Sequence, residues 1–294
     1  MTASPLASPS ATRELLEAYG LAAKHKLGQN FLVDGHVVER IMEVAALGGT
    51  ERVVEVGPGI GTLTLALVQE AAAVLAIEAD AALEPVLADH AAQHGNLRYL
   101  MGDALRTEPA AIAEALGGAP EMLIANLPYN VAATLVLQYF QDLPSLRCAV
   151  VMVQKEVADR IAARPGSKVY GAYTVKLGLY AQVTDRFEVS PRCFMPAPHV
   201  DSAVVRIERT FAPGKGAERP WPASTVQVVE AAFAQRRKTI RNSMGARGYD
   251  KDMLDEAFAA AGIAPSARAE TLAVDDFIRL ARALEERGMG GPIA

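Results

Sequence analysis

The sequence predicts an α/β protein: a mostly parallel sheet with helices on both faces, followed by a small all-helical C-terminal domain. Three observations carry this. Short apolar runs alternate with helical stretches from Val53 onward, the pattern of strand–helix–strand units. One run leads directly into a glycine loop, Val53-Val54-Glu55-Val56-Gly57-Pro58-Gly59-Ile60-Gly61. Beyond Pro222 the pattern is helical to the end of the chain.

The elements follow in order. Residues 1–11 are rich in Ser, Pro and Ala, lack the apolar core of a signal peptide, and read as a disordered tail. A helix is expected from Thr12 to Tyr19, stopped by Gly20, then a loop from Lys24 to Asp34 and a helix through Val37 to Ala46. Apolar runs at Val53–Val56, Val74–Ile77, Leu97–Leu100, Met122–Ala125 and Ala149–Val153 read as strands. Helical stretches such as Leu63–Ala72 and Ala82–His94 separate the first four, which implies parallel pairing. Leu177–Val183 and Ala203–Ile207 read as further strands at the sheet edge. The first domain thus spans 12–210. Phe211 to Pro222, dense in Gly, Pro and charge, is the linker over 211–222. The last domain, 223–294, holds helices Ser224–Met244, Lys251–Ala261 and Val274–Glu286.

The 294 residues, 51% hydrophobic, suffice for one large and one small core. Cys148 and Cys193 are the only cysteines, far apart, which argues against a disulfide scaffold and a zinc site and makes a reducing cytoplasm the default. No run reaches the ~18 apolar residues that span a bilayer. Net charge is −5, which by itself disfavours nucleic acid. Distribution outweighs the sum: between Ala231 and Tyr249 lie Arg236, Arg237, Lys238, Arg241 and Arg247 with no acid, and Lys24-His25-Lys26 forms a second basic knot.

The chemistry sits at strand ends. The glycine loop has the spacing G-x-G-x-G, not the dinucleotide G-x-G-x-x-G, and no Walker lysine follows. Twenty-one residues after Gly57, at the end of the next strand, Glu78 can accept from both hydroxyls of a ribose. Asp103, after the third strand, is placed for an adenine amine, and Glu55 for the charged end of the ligand. Three acids suit a cationic ligand better than a pyrophosphate. S-adenosylmethionine, with its sulfonium and ammonium, fits; NAD is the rival that the spacing disfavours.

At the end of the fourth strand stands Asn126-Leu127-Pro128-Tyr129. The Asn126 amide oxygen and the Leu127 carbonyl can both accept from an exocyclic amine. Pro128 fixes the backbone and withholds a donor. Tyr129 can lie flat on a base. Alone, such a tetrapeptide reads equally as a turn; the ordered series Gly57, Glu78, Asp103, Asn126 at four successive strand ends favours a site. His90 and His94 have the spacing of a metal pair but no Glu in the zinc-protease place, and read as surface residues. His36 and His199 carry no visible chemistry. On one continuous C-terminal helix, Val226, Val229, Phe233, Ile240 and Met244 share a sector, with Arg241 and Lys238 well away and Arg237 at its border. That places cations for RNA phosphate, with Lys155 and Lys168 extending the surface.

With these residues the chain resembles the ribosomal small-subunit adenine dimethyltransferases, from about Lys24 to Asp275. Gly28-Gln29-Asn30-Phe31-Leu32 looks like the family's N-terminal motif, Glu55-Val56-Gly57-Pro58-Gly59 its glycine loop, and Asn126-Leu127-Pro128-Tyr129-Asn130 its catalytic motif. Gln154-Lys155-Glu156-Val157, the run Phe194 to Val205, and the run Phe233 to Ser243 are further signatures. The acidic net charge departs from the family's usual basic character.

The resemblance implies a Rossmann-like class I methyltransferase fold. It implies S-adenosylmethionine held by Asn30, Leu32, Glu55, Gly57, Gly59, Glu78, Asp103 and Asn126, with no metal. It implies catalysis by Asn126, Leu127, Pro128 and Tyr129, with Phe194 as a second aromatic wall, and RNA contact through Arg236, Arg237, Lys238, Arg241 and Lys155. The implied reaction is N6-dimethylation of two adjacent adenosines in a 3′-terminal hairpin of small-subunit (16S) rRNA during subunit assembly, by a cytoplasmic monomer. The alternatives are a large-subunit rRNA methyltransferase of the antibiotic-resistance type, a DNA adenine methyltransferase, and a non-catalytic RNA-binding assembly factor.

Overall fold

The computed structural model describes residues 4–24, 29–211 and 221–288. The ends of the chain, His25 to Gly28, and most of the expected linker therefore lie outside the described residues. Two compact units emerge: Met1–Ala158 with Val183–Arg209, and Asp159–Gln182 with Thr210–Ala294. Residues 159–182, read from the sequence as part of the first domain, belong instead with the helical unit.

Seven strands form the main sheet of the first unit: β1 Arg52–Val56, β2 Ala73–Glu78, β3 Leu97–Met101, β4 Met122–Asn126, β5 Cys148–Gln154, β6 Ala181–Val189 and β7 Ser202–Arg209. Their order is β3-β2-β1-β4-β5-β7-β6. The five strands from β3 to β5 pair in parallel, and β7 runs antiparallel to β5, with Met152 opposite Val204 and Gln154 opposite Ser202. Insertion of β7 beside β5 separates this order from the dinucleotide order 3-2-1-4-5-6. A second, two-stranded ribbon pairs Phe31–Leu32 with Phe194–Met195.

The strand pleat sorts the core into two layers. Val53, Val74, Ala76, Met122, Ile124, Val150 and Met152 pack with Ile41, Ala66 and Leu67 from helices Gly35–Ala45 and Thr64–Glu70. The alternate residues Val54, Leu75, Leu123, Ala149 and Val151 are equally buried, outside that cluster. Burial on both faces is why these strands read as unbroken apolar runs. Local signals start and stop the helices. Asp34 caps Gly35–Ala45 by accepting from the amides of His36 and Val37. Pro109 opens Pro109–Leu116, and Gly117 closes it in the left-handed region.

The structure corrects four readings. The tail expected to be disordered is structured over its described part: helix Pro9–Ala18 is capped by Ser8, and Leu6 is buried with Phe31, Ile60, Leu65 and Leu83. The strand expected at Leu177–Val183 is the end of helix Ala172–Gly178 followed by the start of β6; a short apolar run does not reveal its period. Helices Ala132–Asp142 and Lys155–Ile161 went unread. The helix expected at Ser224–Met244 is two, Thr225–Phe233 and Ile240–Gly245.

That last break has a chemical cause. The Ser243 hydroxyl, fully buried, donates to the Ala231 carbonyl at 2.8 Å and accepts from the Gln235 amide at 3.0 Å. These bonds satisfy backbone groups that a continuing helix would have used. Thr239 then caps the new helix by accepting from the Asn242 amide. The helical unit closes around Val228, Val229, Ile240, Met244, Phe258, Phe277 and Leu280, with helix Lys251–Ala261 ending on left-handed Gly262. Ser243→Ala leaves the buried Ala231 carbonyl and the part-buried Gln235 amide without this partner, so we expect a loss of ~1–3 kcal/mol. Urea unfolding with an unchanged midpoint would contradict this.

Candidate active site

A cleft of about 600 Å³ opens at the carboxyl ends of β1 to β4, where the strand order reverses between β1 and β4. That reversal is where open α/β sheets bind ligands. Asn30, Leu32, Glu55, Gly57, Gly59, Glu78, Asp103 and Asn126 all line it, and so do Leu127, Pro128 and Tyr129. Residues up to 99 positions apart in the sequence (from 30 to 129) are thus gathered in one cavity.

The glycine loop and the Asn126–Tyr129 segment touch. Gly57 has φ +70°, and a Cβ there would sit 3.1 Å from both Cγ and Cδ of Pro128. Only glycine satisfies both the conformation and the contact. Gly61 is equally constrained, at φ +91°, because a Cβ would fall 2.8 Å from the His90 ring. His90, expected on the surface, is buried beneath the loop with Nε2 at 3.0 Å from the Ile60 carbonyl.

The acids divide by environment. Glu55, only 1% exposed, accepts a 2.5 Å hydrogen bond from the Thr64 hydroxyl. Burial pushes its carboxyl up to about 8, and the neighbouring Glu78 adds to the rise despite the Thr64 bond. Glu78 is likewise raised by burial, against the pull of the amides of Asp80, Gly59 and Ala79. Its two oxygens accept from the Gly59 amide at 3.1 Å and the Asp80 amide at 2.9 Å, so it is oriented by backbone from both sides. Asp103 is exposed, accepts from the Leu105 amide, and lies 3.6 Å from Arg106.

Asp80 and Gln29 also line the cleft and were not singled out from the sequence. Burial would raise Asp80, but hydrogen bonds from Lys24, the Ala82 amide and Gln29 hold its carboxyl below the usual range. Lys24 Nζ is at 2.6 Å and Gln29 Nε2 at 2.8 Å. This clamps the flanks of the Asn30–Leu32 segment to the end of β2. An acid two residues after Glu78 was the available signal. Lys24 of the basic knot is thus already ion-paired with Asp80; His25 and Lys26 lie outside the described residues.

Leu127 is buried and its amide donates to the Met152 carbonyl of β5 at 3.0 Å. Tyr129, half-buried, places its hydroxyl 2.9 Å from Ser202 Oγ. Phe194 does not join them. It is 4% exposed, lies opposite Leu32 in the ribbon and belongs to the apolar core, so the expected second wall is a packing residue here. It is not among the residues that line the cleft.

The expected RNA-contacting cations are also re-sorted. Arg236, Arg237 and Lys238 are exposed on the turn between the two short helices, not on a helix face. The Arg236 guanidinium donates to the Lys168 carbonyl. Arg241 forms a two-pronged ion pair with Asp255, at 2.6 and 2.7 Å, from a helix too distant in sequence to have been counted as compensating. Lys155 pairs with Glu188. Among the described residues no group of three or more His, Cys, Asp or Glu could hold a metal ion, and no helix is long and apolar enough to cross a membrane.

A model of the ribosomal RNA adenine dimethylase family matches residues 20–286. The chain belongs to that family. Curated relatives named ribosomal RNA small subunit methyltransferase A are similar along nearly the whole chain. The one from Nocardia farcinica is 42% identical over 94% of both chains, and the one from Magnetococcus marinus 44% identical over 91% of this chain and 94% of its own. Among solved structures, a dimethyladenosine transferase from Plasmodium falciparum has a TM-score of 0.72 at 22% identity, covering 87% of this chain and 97% of that one. The 23S rRNA methyltransferase ErmE has a TM-score of 0.65 at 26% identity over 87% of this chain and 100% of its own. The class I methyltransferase fold, the helical C-terminal part and rRNA methyltransferase activity are thereby those of the family.

The raised carboxyl of Glu55 makes a prediction for the free protein. Its folded form titrates near 8 and its unfolded form near 4.5, so the folded state retains a proton that the unfolded state releases. Its contribution to stability is full below pH 4.5 and is lost as pH rises through about 8. Glu55→Gln, neutral throughout, should flatten the fall in Tm across this window. Calorimetric melts in which wild type and variant run parallel would refute the assignment.

Proposed function

We propose that the chain transfers methyl groups from S-adenosylmethionine to N6 of two adjacent adenosines in a 3′-terminal hairpin of 16S rRNA, giving dimethyladenosines. The observation that carries this is the convergence of three strand-end acids, Glu55, Glu78 and Asp103, and Asn126-Leu127-Pro128-Tyr129 on one cleft. The cleft fits the donor by its chemistry. Its volume of about 600 Å³ lies in the usual range for small-molecule sites. Buried Glu55 and Glu78 suit a cation and oppose a pyrophosphate, and Gly57 and Gly59 form a cradle that a side chain would fill. NAD is disfavoured on both counts.

S-adenosylmethionine would supply an electrophilic methyl on a sulfonium. The rest is done by this chain. Glu78 would take the ribose hydroxyls, Asp103 the adenine amine, Glu55 the ammonium end, and Asn30 and Leu32 would cover the ligand. The amine of the target adenine is a weak nucleophile because its lone pair delocalises into the ring. The Asn126 oxygen and the Leu127 carbonyl would accept its two hydrogens out of the ring plane and make the nitrogen tetrahedral. Pro128 keeps the backbone from offering a competing donor, and Tyr129 would stack on the base, which must leave its helix to arrive. This is catalysis by positioning and electrostatics.

Arg236, Arg237 and Lys238 would meet RNA phosphates. Arg241 and Lys155, already paired, have a smaller claim to that role. The small subunit is the substrate we infer from the names of the relatives, with large-subunit rRNA and DNA as the alternatives; a monomer in the cytoplasm is the simplest form.

Labelled-methyl transfer to undermethylated small subunits, with large subunits and DNA in parallel, is the decisive assay. We expect label on the small subunit alone, recovered as dimethyladenosine. Label on DNA but not rRNA would overturn the proposal. Asn126→Ala is expected to bind the donor normally by calorimetry while losing roughly 10²–10³ in turnover, the scale of one preorganised polar group. Near-wild-type turnover would remove Asn126 from its role.

A further inference from the structure

We infer that Ser202 is a positioning residue for methyl transfer: its hydroxyl anchors Tyr129 so that the ring is preset as the wall of the base pocket. This rests on the reading of Tyr129 as the stacking residue.

Tyr129 lies in a turn, between the end of β4 at Asn126 and helix Ala132–Asp142. A turn by itself does not fix the χ angles of an aromatic ring. Here the Tyr129 hydroxyl meets Ser202 Oγ at 2.9 Å. Ser202 is fully buried, and it sits at the first position of β7, in register with Gln154 at the end of β5. The neighbouring Lys155 amide donates to the Asp201 carbonyl at 2.9 Å, which holds the start of β7 in place. The anchor is thus part of the sheet and not of a loop.

Two bonds then tie the segment to the sheet's far side. Leu127 donates its amide to the Met152 carbonyl, two residues before Gln154, and the Tyr129 hydroxyl meets Ser202, which itself lies opposite Gln154. The backbone bond sets the carbonyl that would accept the amine, and the side-chain bond sets the ring. Tyr129 lines the cleft, and a side chain whose hydroxyl is already used leaves its ring as what a base can stack on. Preorganisation of this kind lowers the ordering needed when substrate arrives. The sequence reading included Ser202 only within a signature and gave it no task.

The test uses the full chain, undermethylated small subunits and labelled S-adenosylmethionine under single-turnover conditions. Tyr129→Phe and Ser202→Ala should each slow methyl transfer by about three- to tenfold, the fold-change of one net hydrogen bond. The double variant should be no slower than either single one, because both remove the same bond. Affinity for S-adenosylmethionine, read by calorimetry, should stay at the wild-type value in all three, a split that general loosening of the fold would not produce. Wild-type rates for Tyr129→Phe, or multiplying losses in the double variant, would overturn the inference. Tyr129→Phe keeps the ring and the fold, so the test survives if Ser202→Ala proves unstable. Tyr129→Ala separates the two levels. If it is slow while Tyr129→Phe is fast, the anchor fails and the stacking role stands; if it too is fast, the stacking role itself fails.

Discussion

The site depends on the close approach of two loops at the point where the sheet changes direction. The turn after β1 and the turn after β4 come from neighbouring parallel strands, so their ends are about a strand spacing apart. A ligand cradle and a base pocket can share one cleft only if both loops lie low against each other. Gly57 makes this possible: its positive φ turns the chain at once, and the missing Cβ leaves room for the Pro128 ring. In the proposed reaction the donor would lie on the Gly57 side of this contact and the target base on the Pro128 side, and in-line transfer needs just such proximity.

Around that contact the electrostatics are built from buried acids. Glu55 and Glu78 are withdrawn from water and titrate high, while Asp80, tied to Lys24 and Gln29, titrates low. The three therefore differ in task. Asp80 is a structural anion with a resident cation. Glu78 is held by backbone amides and presents a pre-aimed acceptor. Glu55 is a carboxyl whose ionised form gains from any cation placed beside it. A cleft of this kind discriminates by charge as well as by shape, which is how an acidic protein can hold a cationic donor and still act on a polyanion whose contacts lie elsewhere.

The helical unit follows another logic. Its core is a conventional apolar cluster, but its cationic turn owes its form to one buried hydroxyl. Ser243 ends the first short helix and lets the second begin, leaving Arg236, Arg237 and Lys238 on an exposed turn. A turn presents three consecutive cations in one direction more readily than a helix, which spreads neighbours ~100° apart.

The sequence by itself determined the α/β class, the positions of β1 to β5 to within a residue or so, the helices Lys251–Ala261 and Val274–Glu285, and many, though not all, of the residues gathered in the cleft. It could do so because strands buried on both faces are continuous apolar runs, and because strand ends of a parallel sheet converge by topology alone. Only the tertiary structure decided that Phe194 is core, that His90 lies under the glycine loop, that Arg241 is neutralised by Asp255, and that Lys24 serves Asp80. It also decided where residues 159–182 belong and where the Ser224–Met244 helix breaks. The reason is the same in each case. These are partnerships between side chains on different elements, and local periodicity carries no information about which distant residue will supply the other half.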